Sequence, residues 1–188
     1  MTPAHTPQQA RSDAVRNRAR IMDAAREQIE QHGPGVGMTT IADAAGVAVG
    51  TLYRNFPSKA DLVNAVTAEH LDGLVDDIER TAARVAKGSA PGPALRRLLG
   101  RILDEAARNH AIKEAANSLG AQDFSAAEER ALGPLAELIK ACIRAGDLAP
   151  NVRPADFQLL MVTAPVDQPT ATRRRWLQIY LAGLAPRS

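Results

Sequence analysis

Apolar residues recur at helical spacing along most of the chain, and almost nowhere in strict alternation. Val15, Ala19, Met22, Ala25 and Ile29 make one stripe, which predicts a helix from about Ser12 to His32, stopped by Gly33-Pro34-Gly35. A short helix over about 38–45 should end at Gly46, a natural left-handed cap. A third, over 49–55, is closed by Pro57, because the residue before a proline avoids helical geometry. Ser58-Lys59-Ala60-Asp61 has the form of a capping box. Leu62, Val63, Val66, Leu71, Leu74, Val75 and Ile78 then carry a long helix as far as Gly88-Ser89-Ala90-Pro91-Gly92-Pro93, which reads as a linker. Further helices are expected near 93–109, 111–119, 124–145, 154–164 and 170–184, with a kink or break at Gly133-Pro134. The fold class is therefore all-α. A three-helix helix-turn-helix domain over 12–57 precedes a helical domain over 58–188. Residues 1–11, with two prolines, two glutamines and no apolar period, are expected to be a disordered arm.

Composition supports this reading. Apolar residues make up 45% of the 188 and aromatics only 3%, so alanine and leucine fill the interior, which favours helices. Cys142 is the single cysteine, which excludes a disulfide framework and a cysteine-based zinc site; a buried thiol is its ordinary reading. No stretch approaches the roughly 20 apolar residues of a membrane span, and no leader-like run opens the chain. A soluble cytoplasmic protein with no membrane partner is expected.

Charge matters through its distribution. Residues 1–60 hold seven Lys/Arg against five Asp/Glu, while 61–188 hold sixteen of each, so the whole excess of +2 lies in the first third. Arg11, Arg16, Arg18, Arg20 and Arg26 cluster on and before the first helix. Such a patch suits phosphate, or is an ordinary solvated helix face. The acidic run Asp72, Asp76, Asp77 and Glu79 reads as a solvated face.

The most informative stretch runs from Ile41 to Lys59. Two short helices joined by a tight glycine turn form the helix-turn-helix layout, whose second helix enters the major groove. Ile41, Ala42, Ala45, Val47, Leu52 and Phe56 would make the small core between them. Val49, Gly50, Thr51, Tyr53, Arg54 and Asn55 remain outside. Gly50 is poor in a helix interior, so its place makes sense if another surface comes close there. Gly50 and Thr51 would aim free backbone N–H groups at a phosphate.

This stretch, from about Arg18 to Leu62, resembles the TetR/AcrR family of transcriptional regulators. Ile41-Ala42, Ala45-Gly46-Val47, Gly50-Thr51-Leu52-Tyr53, Phe56 and Ser58-Lys59 stand in the family's register. The resemblance implies a dimeric, all-helical repressor with three helices for DNA and about six for effector binding and dimerisation. It implies phosphate contacts from Tyr53, from Lys59 and from Thr39 or Thr40, and places Val49, Thr51 and Arg54 where bases or flanking phosphates are read. Asn55 stands in place of a frequent histidine and keeps a polar group there. Ala48 stands where many members carry a capping serine. Thr39 and Thr40 are equally readable as plain caps, and Arg54 suits guanine or phosphate alike.

The remaining chemistry is sparse. His5, His32, His70 and His110 have no helical metal spacing; His70 and His110 read as pocket-lining or, more commonly, as partly exposed helix histidines. No phosphate loop or nucleophile elbow appears, so neither a metal, a cofactor nor an enzyme is expected. Leu99, Ile102, Leu135, Ile139 and Cys142 are candidates to line a pocket for a neutral or weakly polar small-molecule effector, or simply to form a core. Leu160, Leu177, Tyr180, Leu181 and Leu184 are candidates for a homodimer seam, with Trp176 four residues before Tyr180. A dimer would meet a palindromic double-stranded DNA operator at two half-sites about 34–36 Å apart or a multiple. The helix from 58 to about 85, which starts with Lys59, is the expected lever between effector and DNA. A DNA-binding regulator or activator without an effector is the alternative, and a small helical enzyme a remote one.

Overall fold

The structure, a computed structural model, describes residues 7–119 and 125–186. Among these, nine helices and no strand are found: α1 Pro7–His32, α2 Met38–Ala45, α3 Val49–Asn55, α4 Lys59–Ala86, α5 Pro91–Arg108, α6 His110–Ser118, α7 Ser125–Arg144, α8 Pro154–Thr163 and α9 Thr170–Gly183. No described helix is long and apolar enough to cross a membrane.

The expected boundaries hold for most elements, and the exceptions have physical reasons. α1 starts at Pro7, so residues 7–11 of the expected arm are helical; a proline at the first helical position lacks only an N–H that would be unpaired anyway. The same tolerance moves Pro91 and Pro93 out of the expected linker into the first turn of α5. α7 runs unbroken through Gly133-Pro134. The sharp stops behave as expected: Gly33, Gly46 and Gly88 adopt φ values of 78°, 62° and 102°, a region only glycine visits at little cost. Asp61 accepts from the Ser58 amide at 3.0 Å while Ser58 Oγ accepts from the Asp61 amide at 3.1 Å, a reciprocal capping box.

The chain divides into two compact units, and the division is not the sequential one expected. The described part of the first comprises 7–69 and 111–119; that of the second comprises 70–110 and 125–186. The first unit's core joins Ile21, Ala25 and Ile29 of α1 to Ile41, Ala42 and Ala45 of α2 and to Leu52 and Phe56. Leu62, Val63 and Val66 of α4 complete it with Ile112, Ala115 and Ala116 of α6. The first three helices leave part of this core to be covered, and these two further helices supply the cover. The α1 stripe is shifted: Val15 is 70% exposed and Ala19 exposed, whereas Ile21 is fully buried.

The second unit is built on Leu95, Leu98, Leu99, Ile102 and Leu103 of α5, packed with α7, α8 and α9. Asp147 approaches the start of α5 and accepts from the Gly92 amide at 2.8 Å. A Cβ at residue 92 would fall 2.5 Å from that carboxyl group, so any side chain there would displace the carboxylate from this position. The acidic run on α4 is not simply solvated. Asp77 pairs with Arg80 at 2.9 Å and Arg101 at 3.0 Å, and Asp72 with Arg130 at 2.7 Å.

Candidate nucleic-acid interface

α3 is seven residues long and divides sharply by side. Leu52 is fully buried and Phe56, its C-cap, 1% exposed, while Tyr53 is 47% exposed and Gly50 and Arg54 are also exposed. Val49, Thr51 and Asn55 are half-buried, with Val49 leaning on the core. The Tyr53 hydroxyl has no hydrogen-bond partner among the described residues. A Cβ at Gly50 would meet no atom within 4 Å, so nothing in the protein's own packing demands a glycine there.

The amide readings are corrected in part. The Thr51 N–H is not free: it donates to Ala48 O at 2.8 Å. Ala48 is the N-cap of α3 and provides no side-chain hydrogen bond. Ala48→Ser is expected to raise stability by about 1 kcal/mol, because a serine oxygen would satisfy an N–H of the first turn; a melting temperature that does not rise would contradict this. At α2 the N-cap is Gly37, so Thr39 and Thr40 are caps in neither case. They occupy the second and third helical positions, both exposed.

The basic cluster does work inside the protein. Arg20 Nη2 donates to Ala45 O at 2.6 Å, holding the end of α2. Arg18 lies 4.3 Å from the centre of the Phe56 ring and donates to Asn55 O at 3.4 Å, holding the end of α3. Cations favour helix C-termini, where carbonyls lack partners. Arg16 pairs with Asp13, and Arg26 with Asp23 and Glu69. The Arg11 side chain lies outside the described residues. Lys59 donates to Pro34 O and, at 2.6 Å, to Val36 O, fastening the α1–α2 connection to the start of α4. Its partial burial lowers the ammonium's pKa. Two of its three N–H groups are thereby engaged.

In the second unit, Leu99, Ile102, Ile139 and Cys142 are buried in the core with Leu135 packed against it. Burial, and secondarily the charge of Asp147, pushes the Cys142 thiol up to about 11, so it stays protonated and unreactive at neutral pH. A half-open groove of about 400 Å³, lined by the end of α4, Pro91 and α7, includes none of these five residues. His70 Nδ1 lies 3.2 Å from Glu105 Oε1 and 3.4 Å from Asn109 Nδ2, a polar cluster in that unit. Leu160 and Leu177, expected in a seam, are 0% and 5% exposed and belong to the unit's own core. Leu181 and Leu184 pack against that core; Tyr180 donates to Asp156 O and stacks obliquely on Trp176 at 5.3 Å. Leu159, Val162 and Ile179, not singled out in the sequence, are 55%, 81% and 58% exposed.

An exposed short helix on a helix-turn-helix core, in a chain that also forms a second helical unit, is the layout of a DNA-binding transcriptional regulator. Residues 21–66 match the bacterial regulatory proteins of the tetR family, and residues 90–186 match the C-terminal domain of SbtR-like transcriptional regulators. The chain belongs to the TetR family of transcriptional regulators. It resembles the crystal structure of a TetR regulatory protein from Mycobacterium vanbaalenii, 32% identical with a TM-score of 0.71, covering 94% of this chain and 99% of that one. It also resembles the regulator SCO0520 from Streptomyces coelicolor, 27% identical with a TM-score of 0.69 over 91% and 99% of the two chains. The HTH-type transcriptional repressor KstR of Mycobacterium tuberculosis is 35% identical over 106 residues; the match spans 55% of this chain and 47% of that repressor.

Proposed function

We propose that the protein is a cytoplasmic transcriptional repressor, a homodimer that binds a palindromic DNA operator through α3 and leaves it when a small apolar or weakly polar effector binds the second unit. The observation that carries the DNA reading is the outer side of α3. A helix clamped at its buried side by Leu52 and Phe56, and at its end by Arg18, offers Tyr53, Arg54 and an unfilled position at Gly50 to whatever approaches. Tyr53, the last N–H of Lys59, and Thr39 or Thr40 would hold phosphates, which fix register, while Thr51 and Arg54 would meet base edges. Val49 and Asn55 would flank them. The effector would enter among α5 and α7, near Leu99, Ile102, Leu135, Ile139 and Cys142; α4, part of both units, is the route by which it would act on DNA.

The dimer reading is carried by α8. Phe157 and Leu160 point into the core while Leu159 and Val162 are exposed on the same helix, so an apolar second side lacks a cover among the described residues. With Ile179 of α9 and the rims of Tyr180, Leu181 and Leu184, this would form the seam.

Gly50→Ala separates function from folding. Alanine fits the open space and should stabilise α3 by about 0.5–1 kcal/mol. It should weaken binding to duplexes selected from a randomised library by filling the gap at the groove. A variant that melts higher and binds DNA as tightly as the parent would remove the case for close approach at α3. Release of the selected duplex by hits from a thermal-shift screen tests the effector; if every hit is highly charged, the apolar pocket is wrong.

A further inference from the structure

Arg54 does not extend freely from α3. Its Nε–H donates to Gly50 O at 3.1 Å and its Nη2 donates to Thr51 Oγ1 at 3.0 Å. A guanidinium has two usable forks: a side fork of Nε–H with one Nη2 hydrogen, and an end fork with one hydrogen from each Nη. Here the side fork is spent on the helix that carries the arginine. The end fork is left over, on a residue that is exposed. Thr51 is itself held in place, since its carbonyl accepts from Asn55 Nδ2 at 2.8 Å and its amide is bonded to Ala48 O.

We infer that Thr51 is a positioning residue that aims the end fork of Arg54 at a guanine in the major groove, so that the two residues read one base as a unit. This rests on the DNA-binding reading above. The O6 and N7 acceptors of guanine match an arginine end fork, and no other base edge offers that pair of acceptors. An arginine tied at two points loses little rotamer freedom on docking, which favours base readout over a loose phosphate contact.

The test uses the full chain and fluorescein-labelled duplexes selected from a randomised library, each compared with versions in which one guanine per half-site is replaced. Arg54→Ala should reduce discrimination at one guanine by about tenfold to a hundredfold. Thr51→Val, equal in volume but without the hydroxyl, should reduce discrimination at that same guanine by about fivefold. Thr51→Ser should keep it within about twofold, and Thr51→Val in the Arg54→Ala background should change nothing further at that position. If Thr51→Val lowers affinity equally on every duplex, or still acts when Arg54 is absent, Thr51 does not act through Arg54 and the inference is overturned. If Arg54→Ala weakens all duplexes alike, Arg54 holds a phosphate and the inference is likewise overturned. Selection that enriches no duplex at all would instead remove the DNA-binding reading itself.

Discussion

Replacing Phe56 with alanine is expected to cost the first unit about 3–5 kcal/mol and to abolish DNA binding at temperatures where the parent binds. Phe56 is 1% exposed and fills the space behind α3; its amide closes that helix on Leu52 O at 2.8 Å. Its ring also carries the Arg18 guanidinium at 4.3 Å. Truncation opens a cavity and takes away the surface on which Arg18 rests. Domains of this kind are stable by only about 5–15 kcal/mol, so the loss is a large fraction of the whole. Phe56→Leu should keep most of the volume and cost less than about 1.5 kcal/mol from packing, with about 0.5–1 kcal/mol more for the lost ring–cation contact. Denaturant unfolding followed by circular dichroism measures both. A Phe56→Ala loss below 1 kcal/mol would show that the core relaxes around the site, and that α3 is held by other means.

The second large effect concerns assembly. Leu159→Glu combined with Val162→Glu should convert a dimer into a monomer, as carboxylates cannot be buried unpaired in an apolar seam. DNA affinity should fall by about a hundredfold to ten-thousandfold, because the second half-site is then met without tethering. The melting temperature of the protomer should change little, since both side chains are largely exposed within it. Leu160→Ala should behave oppositely: about 2–5 kcal/mol of stability lost through a cavity in the second unit. Sedimentation velocity distinguishes the two outcomes. A double variant that remains dimeric at micromolar concentration places the seam elsewhere.

The contrast between Leu159 and Leu160 shows where sequence reasoning stopped. α8 is apolar on every side, so no period tells the inward residue from the outward one, and Leu160 was the natural but misplaced choice. Elements whose signal is local were legible almost to the residue. The glycine stops, the Ser58–Asp61 box and the Leu52/Phe56 core depend only on near neighbours. Arg18 and Arg20 have partners that the sequence does not reveal, for a different reason. A charge count records that cations are present and not what they donate to; these two donate to carbonyls at the ends of α2 and α3. Lys59 shows the same limit, since Pro34 and Val36 lie 25 and 23 residues away. The spacing around Gly50, Tyr53 and Arg54 located the outer side of α3, but only geometry reveals the bond between Arg54 and Thr51.

The place of α6 has a consequence for how the chain is made. Ile112, Ala115 and Ala116 belong to the first unit's core, although about 45 residues separate them from Val66, the preceding contributor. A ribosome adds about 5–20 residues each second, so the amino-terminal part waits several seconds for the helix that completes it. During that interval its apolar residues lack their full cover, a state that chaperones bind and proteases cut. A fragment ended after α4 would stay in that state permanently. The DNA-reading end of this protein is therefore not a module that can be excised or grafted onto another receptor without carrying α6 along.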